Sequence, residues 1–309
     1  MMRETKELRL VYRDFLLEAN REHPELVVLE ADLSSSMATH KLGEILGKRY
    51  INVGIMEAEM VGVAAGLSIL GFKPYLHTFG PFATRRVFDQ LFLSLGYAQL
   101  DATVIGSDAG VTAEMNGGTH MPFEEIGLTR LIPGATIFEV SDDIQLYAVL
   151  RQTLHLKGLK YVRTIRKAPE AIYQGEEDFS KGFIELKSGE DLVIIATGIM
   201  VAPCLRIANE LSKQGLDIGV VDLFRVKPLP EELLTLYRGL PILSVENHNQ
   251  IGGIGSAICE LFSTDLNTPV FRMGIQERFG QVGKVDYLLK EYGLDEVSIK
   301  EKILSILHY

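Results

Sequence analysis

The chain has 309 residues, of which 41 are acidic and 31 are basic, so its formal net charge is −10. Such a charge is a poor electrostatic match for nucleic acid or for an anionic membrane surface. The longest plainly apolar run, residues 60–72, is too short to span a bilayer. Length and composition therefore predict a globular protein with room for two domains.

The N-terminal segment and the cysteines indicate the cellular compartment. The first nine residues, MMRETKELR, are charged and lack the apolar core of a signal peptide. Cys204 and Cys259 are far apart in the sequence and do not have metal-ligand spacing. A disulfide between them stays open, but two buried free thiols are the simpler interpretation. We therefore expect a cytoplasmic protein.

Short β-rich runs alternate with helical patterns along the chain. An apolar stripe from Leu8 to Ala19 predicts the first helix, which ends before His23 and Pro24. Strands are predicted for LVVLE (26–30), YINV (50–53), PYLHTF (74–79), ATVIGS (102–107), ATIFEV (135–140) and KYVRTI (160–165). Because continuous apolar strands alternate with helices, we predict a mainly parallel sheet covered by helices on both faces.

A polar segment with Pro and Gly, RKAPEAIYQGEEDFSKG (166–182), interrupts this alternation and indicates a linker or a small extra strand pair. The alternation then resumes, with strands predicted at 191–198, 216–223 and 241–247 and helices at 200–214 and 252–262. We therefore predict two α/β domains, residues 1–170 and 189–309, joined by a linker at 171–188. Each is expected to contain a mainly parallel sheet with helices on both faces.

Two glutamates stand near the start of an otherwise apolar, small-residue segment, INVGIMEAEMVGVAAGLSILG (51–71). The pattern predicts a strand, a turn at Gly54 and a helix. Because residues two apart on a helix point in nearly opposite directions, Glu57 and Glu59 cannot have the same role. Both can be ordinary acidic residues of a first helical turn. Alternatively, one is a buried carboxyl group kept for chemistry.

Polar residues that follow strands are candidates for a site, since open parallel sheets bind ligands at the carboxyl ends of their strands. The run ADLSSS (31–36) can cap a helix or bind an anion. The run HTFGPFATRR (77–86) places two phenylalanines before a pair of arginines, for which core packing and salt bridges are the ordinary interpretation. The long glycine-rich loop 106–122 contains His120, a residue type suited to proton transfer or hydrogen bonding.

An ordered set of motifs carries a resemblance to a known family. The motifs are GIMEAEM (54–60), HTFGPF (77–82), GGTHMP (117–122), YVRTIR (161–166) and, in the second predicted domain, LVIIATG and SVENHNQIGGIG. Together they resemble the C-terminal half of transketolase over essentially the whole chain. The similarity is to the split form, in which two polypeptides make the enzyme. The segment RVFDQL (86–91) is also similar to the corresponding half of deoxyxylulose phosphate synthase.

The resemblance implies a site for thiamine diphosphate. Glu57 matches the glutamate that hydrogen-bonds N1′ of the aminopyrimidine ring and helps the cofactor to form its carbon nucleophile. His120 matches a catalytic histidine at the reactive end of the substrate. The other implied cofactor-binding residues are Phe79, Phe82, Asp32 and Arg85. The implied substrate-binding residues are Arg166, Ser36 and Arg9 for a sugar phosphate, and Asn116 for a substrate hydroxyl.

Several positions differ from the pattern of many transketolases. Arg85 stands in place of a tyrosine of the ring pocket, Asn116 in place of an aspartate, and Ala58 in place of a histidine after the catalytic glutamate. A further histidine of the substrate channel has no counterpart between Ser107 and Gly110. The resemblance therefore implies the reaction class and leaves the donor and acceptor sugars open.

The sequence contains no GDG motif, which in thiamine diphosphate enzymes helps to hold Mg²⁺ and the diphosphate. The resemblance thus implies a partner, an N-terminal transketolase subunit that holds both, and no metal ligands on this chain. We expect a heterotetramer of two copies of each chain, built on self-pairing of this one. It would transfer a two-carbon ketol unit from a ketose phosphate to an aldose phosphate, as in pentose phosphate metabolism. The alternatives are the β subunit of a 2-oxoacid dehydrogenase, a deoxyxylulose-phosphate-synthase-like half and a non-catalytic paralogue.

Overall fold

The structure is a computed structural model, and it describes residues 3–307. The strands of this part of the chain are β1 (Leu26–Glu30), β2 (Tyr50–Asn52), β3 (Lys73–Phe79), β4 (Ala102–Ser107), β5 (Thr136–Glu139), β6 (Leu159–Arg163), β7 (Ile184–Lys187), β8 (Leu192–Ala196), β9 (Ile218–Asp222), β10 (Arg225–Lys227), β11 (Ile242–Asn249) and β12 (Val270–Ile275). Every strand predicted from the sequence is present, with ends that differ from the prediction by at most two residues.

Helices fill most of the segments between the strands. They are α1 (Leu8–Glu22), α2 (Leu42–Leu46), α3 (Glu57–Ile69), α4 (Gly80–Ala83), α5 (Phe88–Gln90), α6 (Glu125–Arg130), α7 (Asp143–Thr153), α8 (Val201–Ser212), α9 (Glu232–Leu236), α10 (Ile254–Leu261), α11 (Val285–Glu291) and α12 (Glu296–Leu307). A π-helical segment, Leu91–Tyr97, continues α5. Among residues 3–307, none of the helices combines the length and the apolar character that crossing a membrane requires.

The strands form two sheets. The first has the order β10-β5-β6-β4-β3-β1-β2, and the second has the order β12-β11-β8-β9-β7. All neighbouring pairs are parallel except those made by β10 and β7, which run antiparallel to β5 and β9. The strands β1, β4, β6, β8 and β9 are buried along their whole length, as expected for parallel strands with helices on both faces. The predicted α/β architecture is confirmed.

The two halves of the chain share a sheet, a feature that the sequence pattern did not predict. β10 follows β9 of the second sheet, returns to the first sheet and places Arg225 opposite Phe138. With three residues before Pro228, it is too short to give a periodic signal. β12 was also missed, because Arg272 interrupts its apolar run.

The predicted linker, residues 171–188, contains β7, which pairs with β9 at the edge of the second sheet. The earlier part of the segment packs closely, since Tyr173 and Phe179 are both buried in the apolar core beneath α1 and α7. This segment therefore forms one edge strand rather than a strand pair, and its first part is anchored to the first domain. The domain division at 1–170 and 189–309 stays a prediction.

The carboxyl ends of β1, β3, β4 and β6 lie along one edge of the first sheet, because these strands are consecutive neighbours and parallel. The polar segments that follow them are therefore brought together, as the sequence predicts. A second apolar cluster extends this edge to the other domain. It includes Val111, Ala113, Met121 and Phe123 from the loop after β4, packed with the core of the second sheet.

Candidate active site

Glu57 is held at the start of α3 by the preceding turn. Gly54 has a left-handed backbone (φ 78°), which glycine adopts without strain. Glu57 is the first residue of α3 and is only 4% exposed, whereas Glu59 is exposed. The two glutamates thus have the different environments that their spacing predicts. The carboxyl group of Glu57 is buried at the positive end of the α3 dipole.

Arg86 contacts this buried carboxyl group. Its Nη1 donates to Oε1 of Glu57 over 2.6 Å, and its guanidinium carbon lies 3.7 Å from the centroid of the Phe82 ring. Phe82 in turn lies 6.2 Å, centroid to centroid, from Phe79 at the end of β3. A flat group with N–H donors thus contacts both an aromatic face and the Glu57 carboxyl group.

His120 lies against the same pair of aromatic rings. Its ring centroid is 5.1 Å from that of Phe82 and 6.0 Å from that of Phe79, with an edge-on orientation to both. Its Nδ1 lies 2.9 Å from the hydroxyl oxygen of Thr119. These groups surround an open cavity of about 410 Å³. The cavity is lined by Pro81, Phe82, Arg85, Arg86, Thr119 and His120.

Arg166 extends the cluster beyond Phe79. Its guanidinium carbon lies 5.2 Å from the centroid of the Phe79 ring, and its Nε donates to Asp108 over 2.8 Å. Within residues 3–307, its two terminal nitrogens make no hydrogen bond, so they can bind an anion in a bidentate manner. The main-chain N–H of Arg9 donates to the Arg166 carbonyl over 3.2 Å, while the Arg9 side chain pairs with Glu7.

Asp108 supports Arg166 from a nearly buried position. It is 3% exposed and has a left-handed backbone (φ 62°). Desolvation raises the pKa of the Asp108 carboxyl group, and the positive charge of Arg166 opposes that shift. Among the described residues, its Oδ2 has no hydrogen-bond partner. Asp108 therefore holds the Nε side of Arg166 and leaves the two terminal nitrogens free.

A buried polar chain lies behind the strand ends. Nδ1 of His77 is 3.0 Å from Glu30, and Nε2 of His77 is 3.1 Å from the hydroxyl oxygen of Ser107. All three side chains are fully buried, and they lie near the ends of β1, β3 and β4. Unpaired polar groups are costly when they are fully buried. The Glu30–His77–Ser107 hydrogen bonds therefore fix the relative positions of the three strand ends, including the residue before Asp108.

Within the described part of the chain, three of the predicted site residues, Asp32, Ser36 and Asn116, make no hydrogen bond with this cluster, and a fourth, Arg85, lies at its edge. Asp32 is exposed and has a left-handed backbone (φ 62°). Its main-chain N–H donates to Oδ1 of Asn52 over 3.0 Å. Ser36 is half-buried in the loop after β1, and Asn116 is exposed. The guanidinium of Arg85 pairs with Glu124 over 2.7 Å, although Arg85 also lines the cavity beside His120. Their roles stay predictions.

Two residues of the cluster were missed in the sequence. Arg86 follows Arg85 directly, and only the structure shows which of the two turns toward Glu57 and Phe82. Asp108 is the first residue after β4, which is the position that the strand-end rule marks. That rule could have singled out Asp108, whereas no local signal distinguishes the two arginines.

The cluster fits an aminopyrimidine ring. The guanidinium of Arg86 is itself planar and nitrogen-bearing, and it stacks on Phe82 while bonded to Glu57. A flat heterocycle with N–H or protonated nitrogen can make the same two contacts. Residues 3–307 contain no group of three or more His, Cys, Asp or Glu that could hold a metal ion.

Comparison with known proteins decides the family. The model of the transketolase pyrimidine binding domain matches residues 4–170, and the model of the transketolase C-terminal domain matches residues 182–299. The chain belongs to the transketolase family. Membership implies dependence on thiamine diphosphate, in agreement with the shape and polarity of the cluster around Glu57.

Relatives of this transketolase-family chain include subunits of similar length. It is 41% identical over 290 residues to the 6-deoxy-6-sulfo-D-fructose transketolase subunit of Clostridium sp. (strain MSTE9), covering 93% of this chain and 90% of that one. It is 36% identical over 305 residues to a transketolase C-terminal section from Methanocaldococcus jannaschii, covering 97% of this chain and 96% of that one. By contrast, the match to transketolase-like protein 2 of Mus musculus, 30% identical over 295 residues, covers 93% of this chain but only 46% of that protein.

Solved structures agree with this assignment. A split-gene transketolase, solved as an inactive β4 tetramer, superposes with a TM-score of 0.89 at 32% identity, over 98% of this chain and 99% of that one. Transketolase from Campylobacter jejuni superposes with a TM-score of 0.83 at 23% identity, over 97% of this chain and 46% of that one, which shows the shared fold. The chain thus corresponds to the C-terminal half of transketolase, as the motifs predict, and it is similar over almost its whole length to a split-gene subunit.

Proposed function

We propose that this chain supplies the aminopyrimidine half of a thiamine-diphosphate site, together with the substrate pocket, in a two-chain ketol transferase. The observation that supports this is the continuous cluster from Glu57 through Arg86, Phe82 and His120 to Phe79 and Arg166. It places a buried carboxyl group, an aromatic wall, a histidine and an arginine with free terminal nitrogens side by side.

Each group has a distinct task in this proposal. Glu57 hydrogen-bonds N1′ of the pyrimidine, and Phe79 and Phe82 pack against the ring. When bound, thiamine diphosphate supplies the carbon nucleophile that takes up the two-carbon unit. His120 donates or accepts hydrogen bonds at the substrate oxygens beside the reacting carbon, where an imidazole can also exchange a proton. Arg166 binds the anionic terminus of the sugar.

The proposal includes a second polypeptide. Thiamine diphosphate carries two phosphate groups, and such charge needs cations and donors to leave water. Full-length relatives are about twice as long as this chain, since it covers 46% of transketolase-like protein 2. We therefore propose an N-terminal subunit that binds Mg²⁺ and the diphosphate. An assembly of two copies of each chain follows from closed two-fold symmetry.

The donor is proposed to be a ketose with an anionic terminal group. A sugar phosphate is the expectation from the motifs, with Arg166 as its main contact. A terminal sulfonate is the second candidate, because the relative from Clostridium is named for 6-deoxy-6-sulfo-D-fructose. Phosphate and sulfonate both present oxygens that a guanidinium binds in a bidentate manner, so Arg166 serves either one.

An assay with the reconstituted two-chain enzyme tests both the proposed reaction and the proposed class of donor. The chain is mixed with a GDG-containing N-terminal subunit, thiamine diphosphate, Mg²⁺ and an aldose phosphate as acceptor. Fructose 6-phosphate, 6-deoxy-6-sulfofructose and pyruvate are then compared as donors. Ketol transfer from either anionic ketose supports the proposal, and the preferred donor names the substrate class. Decarboxylation of pyruvate without ketol transfer would assign the chain to the 2-oxoacid dehydrogenase group instead.

A further inference from the structure

The loop between β4 and His120, residues 108–120, is held in an unusual backbone course. We call it the β4 loop. Asp108, Gly110, Glu114 and Gly117 all have positive φ angles, between 48° and 73°. For the two non-glycine residues such angles are costly and persist only when surrounding contacts enforce them. The β4 loop carries Asp108, the partner of Arg166, at its start and His120 at its end.

Contacts from both domains hold this course: Arg166 and Lys167 bond the side chains of Asp108 and Glu114, and the second domain bonds the main chain between them. The Asn247 side chain, at the carboxyl end of β11, is fully buried against the β4 loop. Its Oδ1 accepts from the Val111 N–H over 3.0 Å, and its Nδ2 donates to the Ala109 carbonyl over 3.0 Å. One amide side chain thus satisfies main-chain groups on both sides of Gly110.

The fit around Gly110 leaves no room for another side chain. A Cβ atom at Gly110 would lie 2.2 Å from Oδ1 of Asn247, well inside contact distance. A second close approach occurs near His120, where a Cβ at Gly118 would lie 2.2 Å from the carbonyl oxygen of Gly280. The β4 loop is therefore pressed against two separate segments of the second domain.

We propose that Asn247 is a positioning residue for substrate binding, through which the second domain sets the course of the β4 loop. This proposal rests on the proposed function, because it assigns Asn247 to the placement of Arg166 and His120 rather than to contact with substrate. Glu57, Phe79 and Phe82 belong to α3, β3 and the segment after it, which Asn247 does not touch. Loss of Asn247 is therefore expected to affect the substrate end of the site and to spare the cofactor end.

Asn247→Leu tests the proposal in the reconstituted two-chain enzyme. The change keeps the branched shape and the number of side-chain heavy atoms and removes both hydrogen bonds to the β4 loop. We expect kcat/KM for the anionic ketose to fall about 10- to 100-fold, the scale of a small displacement of positioned groups. The affinity for thiamine diphosphate is expected to stay within about two-fold. Hydrogen exchange of the amides of residues 108–120 is expected to accelerate.

Ser244→Val, on the same strand, is the matched control. Ser244 is fully buried, but its hydroxyl group bonds the Phe271 carbonyl and does not touch the β4 loop. We expect it to lower thermal stability without changing exchange in the β4 loop or KM. Equal exchange in the β4 loop and equal kinetics for the two variants would overturn the proposal.

A second pair of variants keeps the test decisive if Asn247→Leu does not fold. Gly110→Ala disturbs the same contact from the β4 loop, because its methyl group would collide with the Asn247 amide. Its effect on kcat/KM and on hydrogen exchange is expected to be smaller in an Asn247→Ala background, where the colliding amide is absent. Additive effects would argue against direct positioning. If the wild-type complex shows no ketol transfer, the proposed function fails, and hydrogen exchange of the β4 loop still decides the present inference.

Discussion

The two ends of the candidate site are built in different ways. At the cofactor end, Glu57 is the first residue of α3 and Phe79 is the last residue of β3, so regular elements place both side chains. At the end proposed for the substrate, Asp108 and His120 belong to a loop with left-handed residues that is hydrogen-bonded to the second domain. Short sequence segments thus determine where the side chains lie at the first end, whereas contacts between distant parts of the chain are needed at the second end.

The difference predicts that cofactor and substrate functions can be separated by mutation. Changes at the cofactor end are expected to alter turnover for every substrate. Changes at the substrate end are expected to alter the response to particular sugars, or the transfer step, while cofactor binding remains. Substitutions of Glu57, His120, Arg166 and Arg86 test this separation, and the strongest loss of activity is expected for Glu57.

Glu57→Gln is expected to lower turnover by about 10²–10⁴-fold, the range for loss of a general acid–base group. The amide keeps the shape of the side chain but cannot share a proton with the pyrimidine nitrogen. Circular dichroism checks that the fold is intact, and steady-state rates with two different donors check that the loss is uniform. Glu59→Gln, on the exposed side of α3, serves as the control. Mild and equal losses for the two variants would show that Glu57 has only a helix-terminal role.

His120→Ala is expected to slow ketol transfer by about 10²-fold and to leave thiamine diphosphate affinity nearly unchanged, since His120 is proposed to contact the reacting oxygens of the substrate and not the cofactor. Isothermal titration with the cofactor and single-turnover rates with a ketose measure the two quantities on the same preparation. His155, an exposed histidine outside the site, provides the control variant His155→Ala. Cofactor affinity that falls in step with the rate would place His120 at the cofactor end.

Arg166→Ala is expected to raise KM for anionic sugars by roughly 10- to 100-fold, in keeping with about 1.5–3 kcal/mol for a hydrogen bond to a charged group. Neutral acceptors such as glycolaldehyde should be nearly unaffected. Comparison of KM for a phosphorylated and an unphosphorylated acceptor measures the effect. A uniform loss for both acceptors would indicate that Arg166 mainly supports the fold through its bond to Asp108.

Arg86→Ala is expected to tighten thiamine diphosphate binding about two- to five-fold. In the chain alone, Arg86 makes the contacts with Glu57 and Phe82 that the pyrimidine would make, so binding must displace it. An ion pair with a half-exposed arginine is worth about 0.5–1 kcal/mol. Titration of the two-chain complex measures the affinity. Arg85→Ala is expected to act in the opposite direction if Arg85 forms part of the ring pocket. Weaker binding by Arg86→Ala would show that Arg86 stays in contact with the bound cofactor.

The same contrast explains which features the sequence could predict. Buried strands such as β1 and β4 and the turn–helix at Gly54 have strong local patterns, and the structure confirms them. β10 was missed because its place in the first sheet depends on a pairing between Arg225 and Phe138, far apart in sequence.

At the candidate site, local sequence could place Glu57 and the two phenylalanines but could not show that Arg86, rather than Arg85, turns toward them. Both arginines follow the same short helix, and long-range contacts with Glu57 and Glu124 separate them. The contact of Asn247 with the β4 loop likewise joins residues 136 positions apart. Such contacts leave no periodic signal in the sequence.

We propose that this chain forms the aminopyrimidine half of a cofactor site, and this proposal can be tested on the purified protein. The most direct test is calorimetric titration of the purified chain with thiamine diphosphate and Mg²⁺, before and after addition of the GDG-containing partner. We predict weak, Mg²⁺-independent binding by the chain alone, and tight, Mg²⁺-dependent binding with ketol transfer once the partner is present. Tight, Mg²⁺-dependent binding and full ketol transfer by this chain without a partner would contradict the account.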